Sequence, residues 1–308
     1  MTWNVDVLPD QRGRVIAVTG ANAGLGFWTS YALAKAGAEV VLACRNEQKA
    51  AAAIRAIQGR VPDATLSFLP LDTSSIASST AAGEELGAKQ RLDALVENAG
   101  IVHFPKHREE SVDGNELVFA TNVVGHAAIL PHALPALERT AGARVVLLGS
   151  LSTHLVKLRI DDLQLRTGYT GWQAYAQSKI GLSALGFELD RRLQASGSRV
   201  RALVAHPGFA ISGLSPRVPG VNEPSRWNRF TDVLQSPFAQ GKHRGAEPTV
   251  RAVADPDARG GAFYGPKYRT KGAPVIATPA AVTTDVAVGA SVWEQLEAII
   301  GRPILPTA

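Results

Sequence analysis

The stretch from Arg14 to Lys35 restricts the fold more than any other part of the chain. Arg14-Val15-Ile16-Ala17-Val18 is short, apolar and β-branched, as a fully buried strand is, and Phe27 to Lys35 continues as a helical pattern rich in Ala and Leu. Between them lies Thr19-Gly20-Ala21-Asn22-Ala23-Gly24-Leu25-Gly26. The unit is strand, glycine turn, helix. Glycines there let the backbone bend sharply and approach a pyrophosphate, whose charge is favoured at a helix N-terminus by free N–H groups and the dipole. The spacing GxxxGxG departs from the dinucleotide fingerprint GxGxxG, and a glycine-rich turn taken alone serves equally as a plain turn.

The same alternation continues. Strands are expected at about 14–19, 38–44, 65–71, 92–97, 143–149, 199–205 and 261–265, and helices at about 25–37, 46–59, 74–88, 111–138, 172–195 and 284–299. This order predicts an α/β fold: a Rossmann-type doubly wound parallel sheet of seven strands, with helices on both faces and right-handed crossovers. Ligands then bind beyond the strand C-termini. A chain of 308 residues is long for one domain, yet such sheets carry that length as a unit, and 45% hydrophobic content supplies the core. One domain over 1–308 is expected. Leu182, Leu185, Leu189 and Leu193 form an apolar helical stripe, while Pro131 and Pro135 should end or kink the preceding helix near its last turns. Residues 209–258 differ in texture, with Pro216, Pro219, Pro224, Pro237 and Pro248 punctuating short pieces that contain Trp227, Phe230 and Phe238.

Tyr175-Ala-Gln-Ser-Lys179 places a phenol and an ammonium four residues apart within an expected helix, hence on one face. A neighbouring cation favours phenolate, so such a tyrosine exchanges protons nearer neutral pH than its unperturbed value of about 10. An exposed surface pair has the same spacing.

Together these motifs resemble a short-chain dehydrogenase/reductase of the branch carrying TGxxxGxG and YxxxK. Asn98-Ala99-Gly100 follows the apolar strand Leu92 to Val96 where the family carries NNAG, with Glu97 replacing the first Asn. Asn122 matches the family's helical asparagine, Ser150 its serine, and Pro207-Gly208 follows the strand ending at Ala205, with Ser212 where members usually place Thr. The opening Trp3...Leu8-Pro9-Asp10...Gly13-Arg14, the strand ending Ala43-Cys44-Arg45-Asn46 and the 25-residue interval from Ser150 to Tyr175 resemble the retinol-dehydrogenase-like and protochlorophyllide-reductase-like subgroup. The resemblance is dense over residues 1 to 212 and thins to Gly260-Gly261-Ala-Phe-Tyr264-Gly265-Pro266 beyond.

The resemblance implies an oxidoreductase that moves a hydride between a nicotinamide and a carbonyl or alcohol of a lipophilic small molecule. Tyr175 exchanges the proton, Ser150 binds the same oxygen, Lys179 lowers the tyrosine pKa and holds the nicotinamide ribose, and Asn122 supports a water-linked proton path. Cofactor contacts fall to Gly20, Asn22, Gly24, Leu25, Gly26, Arg45, Asp72, Asn98, Gly100, Tyr175, Lys179, Pro207, Gly208 and Ser212. Residues 209–258 become the expected substrate lid. NAD-preferring members end strand two with a carboxylate, whereas this chain has Cys44 and then Arg45, whose guanidinium suits a 2′-phosphate. NADP(H) is the expected cofactor, with NAD(H) left open because the rival arrangement, in which Arg45 stacks on the adenine or faces solvent, would leave dual specificity.

Other readings are narrower. The extended branch of epimerases and dehydratases shares YxxxK but shows TGxxGxxG, and a cofactor-sensing protein without catalysis normally lacks the serine, tyrosine or lysine present here. Net charge is +5, with Arg191-Arg192...Arg199-Val-Arg201 at a helix end and the next strand, and no nucleic-acid-binding signature accompanies it. One cysteine, Cys44, excludes an intramolecular disulfide and a thiolate cluster, and His126 and His132 stand six apart without a completing carboxylate, so no metal site is expected. The N-terminus shows no signal pattern and no apolar run spans a bilayer, which suggests a cytoplasmic protein without a membrane span. Homodimerisation through the two long helices carrying Asn122 and Tyr175 stays open.

Overall fold

The computed structural model describes Trp3, residues 7–102 and residues 106–305. Met1, Thr2 and residues 4–6, part of the stretch read above for a targeting signal, lie outside the described residues. The strands are β1 (Val15–Thr19), β2 (Glu39–Cys44), β3 (Leu66–Pro70), β4 (Ala94–Glu97), β5 (Arg144–Leu148), β6 (Arg201–Ala205), β7 (Ala210–Ile211), β8 (Gln240–Gly241), β9 (Phe263–Pro266) and β10 (Pro274–Ile276). The α-helices are α1 (Gly24–Lys35), α2 (Glu47–Gln58), α3 (Ile76–Ala88), α4 (Leu117–Phe119), α5 (Gly125–Glu138), α6 (Gly171–Ala195), α7 (Arg226–Leu234), α8 (Lys242–Gly245), α9 (Glu247–Ala254), α10 (Ala281–Thr284) and α11 (Val286–Ile300). A π-helical turn, Ala120–Val124, joins α4 to α5.

The main sheet runs β10-β9-β6-β5-β4-β1-β2-β3, parallel except where β10 meets β9. The strand order therefore reverses between β1 and β4, which fixes the ligand crevice above the C-terminal ends of those two strands. Seven parallel strands match the expectation. The eighth, β10, was missed because it is three residues long, begins with a proline and follows a polar turn, all features of an edge strand that carry little periodicity. A separate parallel ladder joins β7 to β8.

Alternate strand residues face opposite helix layers. Ala17, Leu95, Val145 and Leu147 pack with Phe119, Leu130, Leu185 and Trp293 on one side, while Ile16, Val18, Val96 and Val146 pack with Phe27, Leu33 and Val250 on the other. Burial on both faces explains why these strands read as continuous apolar runs rather than alternating ones. α5 continues through Pro131 and Pro135 and ends at Glu138, just past the second proline, while the irregular turn lies upstream at Ala120–Val124. Tertiary packing overrides the local penalty, since Ala127 to Leu130 and Ala133, Leu134, Ala136 and Leu137 are all buried. The helical stretch Leu117–Glu138 is long and apolar enough to cross a membrane, but it forms the centre of a helix layer, with 78% of its apolar window buried.

Candidate active site

The glycine turn is held tightly to the sheet. Gly20 takes φ +66°, and a methyl group built on Gly26 would lie 2.4 Å from the Gly20 carbonyl oxygen and 2.5 Å from Asn98 Nδ2. Only glycine lets α1 start this close to β1. No side chain caps α1, so its first amides are free to bind an anion. Asn98 Nδ2 donates to the Thr19 carbonyl at 2.7 Å, which ties the end of β4 to the turn.

Beyond β2 and β3 lies a cleft of about 600 Å³, lined by Gly20, Asn22, Arg45, Asp72 and Gly100 among others. Arg45 Nη1 stands 3.4 Å from Asp72 Oδ2, with its own side chain 76% exposed. An exposed pair of this length is weak, and the guanidinium is free to take another anion. Burial pushes the Asp72 carboxyl up, but hydrogen bonds from Ser74 and the nearby Arg45 outweigh it and hold the group below its ordinary value. Cys44 is buried and its thiol is pushed up to about 11 by burial, which leaves it unreactive.

Past the switch point, the four expected catalytic residues converge. Thr170 caps α6 by accepting from Gln173 N, and one turn later Tyr175 directs its hydroxyl to Ser150 Oγ at 3.3 Å. Ser150 sits just past β5 and caps the following 3-10 turn. Lys179 Nζ is buried and donates to the Leu148 carbonyl at 2.8 Å, and burial lowers its pKa to about 8. Asn122 occupies the π-helical turn, accepting from Ile101 N at 2.8 Å and donating to Ser178 Oγ at 2.9 Å. A methyl group on Gly100 would lie 3.0 Å from Asn122 Oδ1 and 3.6 Å from Lys179 Nζ, so the three residues share one corner.

One expectation is corrected here. The phenol of Tyr175 is shifted up, not down: burial dominates, and the Ser150 hydrogen bond opposes it. The ammonium of Lys179 is directed to the strand carbonyl instead, and a half-enclosed phenolate would be poorly solvated.

Pro207-Gly208 follows β6, with Gly208 at φ +68° and its N–H donating to His206 Nδ1 at 3.2 Å. Ser212 follows β7, its carbonyl accepting from Ser215 N at 3.0 Å. The sequence reading missed Thr19 as a hub: its hydroxyl accepts from Asn98 N and Ala99 N at 2.9 and 2.8 Å and meets His126 Nε2 at 3.2 Å. His126 also contacts the Asn122 carbonyl through Nδ1 at 3.1 Å, and burial drops its pKa to about 3, so it is a neutral bridge between glycine turn and π turn. Nothing in linear spacing reveals that bridge. Among the described residues, no group of three His, Cys, Asp or Glu is placed to hold a metal.

Comparison with known proteins agrees with this geometry. The family model for short chain dehydrogenases matches residues 14–218. The chain is 32% identical over 298 residues to retinol dehydrogenase 13 of Homo sapiens, covering 94% of this chain and 85% of that one. It is 30% identical over 303 residues to the polyprenol dehydrogenase of Danio rerio, covering 96% and 89%. A crystal structure of an uncharacterised protein from Mycobacterium paratuberculosis superposes with a TM-score of 0.80 at 28% identity, over 100% of both chains. The chain belongs to the short-chain dehydrogenase/reductase family, in its retinol-dehydrogenase-like subgroup, and is an oxidoreductase.

Proposed function

We propose that this protein is an NADP(H)-dependent carbonyl reductase or alcohol dehydrogenase acting on a lipophilic small molecule. The observation that carries the proposal is the meeting of Tyr175 with Ser150 at 3.3 Å beside the switch point of the sheet. The tight glycine cradle at Gly20 and Gly26 and the uncapped α1 fit a dinucleotide, which Gly20, Asn22, Gly24, Leu25 and Gly26 would hold at its phosphates. Bound there, the nicotinamide supplies or accepts the hydride.

The protein's own part is positional and protonic. Ser150 hydrogen-bonds the substrate oxygen and stabilises negative charge developing on it. Tyr175, kept protonated by burial, gives its proton to that oxygen in reduction and takes it back in oxidation. Lys179 and Asn122 fix the corner beside Gly100 through which the tyrosine is reprotonated. Arg45 meets the 2′-phosphate of NADP(H), and the exposed Trp227, Phe230 and Phe238 in the 209–258 lid meet an apolar substrate. Homology to proteins named retinol and polyprenol dehydrogenase supports the lipophilic class.

The test is turnover of a panel of lipophilic aldehydes and ketones with each dinucleotide. Tyr175→Phe should cut kcat by roughly 10²–10⁴-fold while leaving NADPH binding intact, the range expected for losing a general acid. NADPH binding without turnover, unaltered by Tyr175→Phe, would sink the catalytic reading. Arg45→Asp should lower the NADPH/NADH ratio of kcat/KM by about tenfold or more, the loss of one charge-assisted contact. An unchanged ratio removes the phosphate role from Arg45.

A further inference from the structure

The loop after the lid returns to the glycine turn. β8 pairs with β7, the Lys242 N–H is fixed by Ser215 Oγ at 2.7 Å, and the short helix α8 packs on α1. This anchoring directs the Lys242 side chain across the start of α1. A methyl group built on Gly24 would lie 3.5 Å from Lys242 Nζ and 3.6 Å from its Cδ. Leu25 closes the same seam, its side chain 3.0 Å from a methyl built on Gly245.

An ammonium is out of place here on electrostatic grounds. The N-terminus of α1 is the positive end of the helix dipole, and a cation beside it is disfavoured. Partial burial disfavours it again and lowers the Lys242 pKa, with the Asp232 carboxylate on α7 opposing that shift from a distance. No hydrogen bond or ion pair to a described residue engages the ammonium. An anion placed between Lys242 and the Gly24–Gly26 amides turns both unfavourable terms into attraction.

We infer that Lys242 is a phosphate-binding residue whose ammonium reaches the pyrophosphate of the nicotinamide dinucleotide from α8, while the Gly24–Gly26 amides bind it from α1. The inference rests on the dinucleotide-dependent reading above and extends it to a residue outside the glycine motif. The Lys242 ammonium also feels the carboxylate of Asp232, which accepts from Gly213 N at 2.7 Å and ties α7 to the chain after β7.

The phosphate chemistry has two sources in NADPH, the pyrophosphate and the 2′-phosphate, and they separate on comparison with NADH. Binding of NADPH and of NADH is measured by fluorescence titration on the intact wild-type chain and on Lys242→Met and Lys242→Arg, with thermal melting to show that each variant is folded. The expected result is that Lys242→Met weakens both dinucleotides by about tenfold, the scale of one charge-assisted hydrogen bond, and that Lys242→Arg keeps most of the affinity. Unchanged affinity in a folded Lys242→Met overturns the inference. A loss confined to NADPH also overturns it, because it moves the ammonium to the 2′-phosphate. Should Lys242→Met not fold, Lys242→Gln takes its place under the same criteria. A wild-type chain that binds neither dinucleotide overturns the underlying reading, and is distinguishable from the other outcomes.

Discussion

At the scale of single residues, the buried polar groups differ sharply in how far they are satisfied. Thr19 and His126 are fully satisfied and hold the glycine turn against the π turn. Glu97 is the opposite case: it is 0% exposed at the end of β4, and neither carboxylate oxygen finds a hydrogen-bond partner among the described residues. Burial raises its pKa well above the ordinary value, so the folded chain holds a proton there that the unfolded chain releases. With the unfolded state binding fewer protons above about pH 4.5, stability from this site falls as pH rises past that point. Glu97→Gln removes the penalty: its Tm should exceed wild type at pH 8, with the gap closing towards pH 5. A gap that stays constant across that range would show that Glu97 is not the titrating group. The glycine and YxxxK residues were legible because chemistry demands their spacing. Glu97 stood out only as a departure from NNAG, and its unpartnered state depends on strands that meet it from elsewhere in the chain.

Among the elements, α7 is built inside out. Its polar side faces the protein, where Asp232 accepts from Gly213 N and Arg229 Nη1 reaches the Gly213 and Ser215 carbonyls at 3.4 Å. Trp227, Phe230, Val233 and Leu234 are more than half exposed, and the Trp227 and Phe230 rings stand 5.7 Å apart. A helix with this pattern has its apolar surface available to something other than the core. In the proposed role of lid over a lipophilic substrate, Trp227→Ala with Phe230→Ala should raise KM for an apolar carbonyl by about a hundredfold or more, since each ring contributes about 1.5–3 kcal/mol when fully buried. NADPH affinity and Tm should stay as in wild type, since neither ring is part of the core. An unaltered KM would take the apolar face of α7 out of substrate binding. The prolines marked this region in the sequence, but the direction of its apolar face is set by the contacts of Asp232 and Arg229.

For the molecule as a whole, α11 decides more than its sequence suggests. It packs on α6 and α5, with Trp293 buried at 1% exposure and the Arg192 guanidinium 4.5 Å above its ring. From Ala176 to Asp190 every residue of α6 is buried within the single chain, so this face, read as a candidate dimer surface, is already covered. Apolar periodicity records that a helix face is buried; it does not record by what. The sequence alone determined the alternation of strands and helices, the glycine turn and the four candidate catalytic residues that the fold brings together, because each depends on local spacing or on a residue type that the chemistry requires. Tertiary structure decided the continuity of α5 through its prolines, the upward shift of Tyr175 and the bridge through His126. It also brought Lys242 to Gly24, far apart in the chain. These outcomes follow from desolvation and long-range contact, and neither quantity has a value until the chain has folded back on itself.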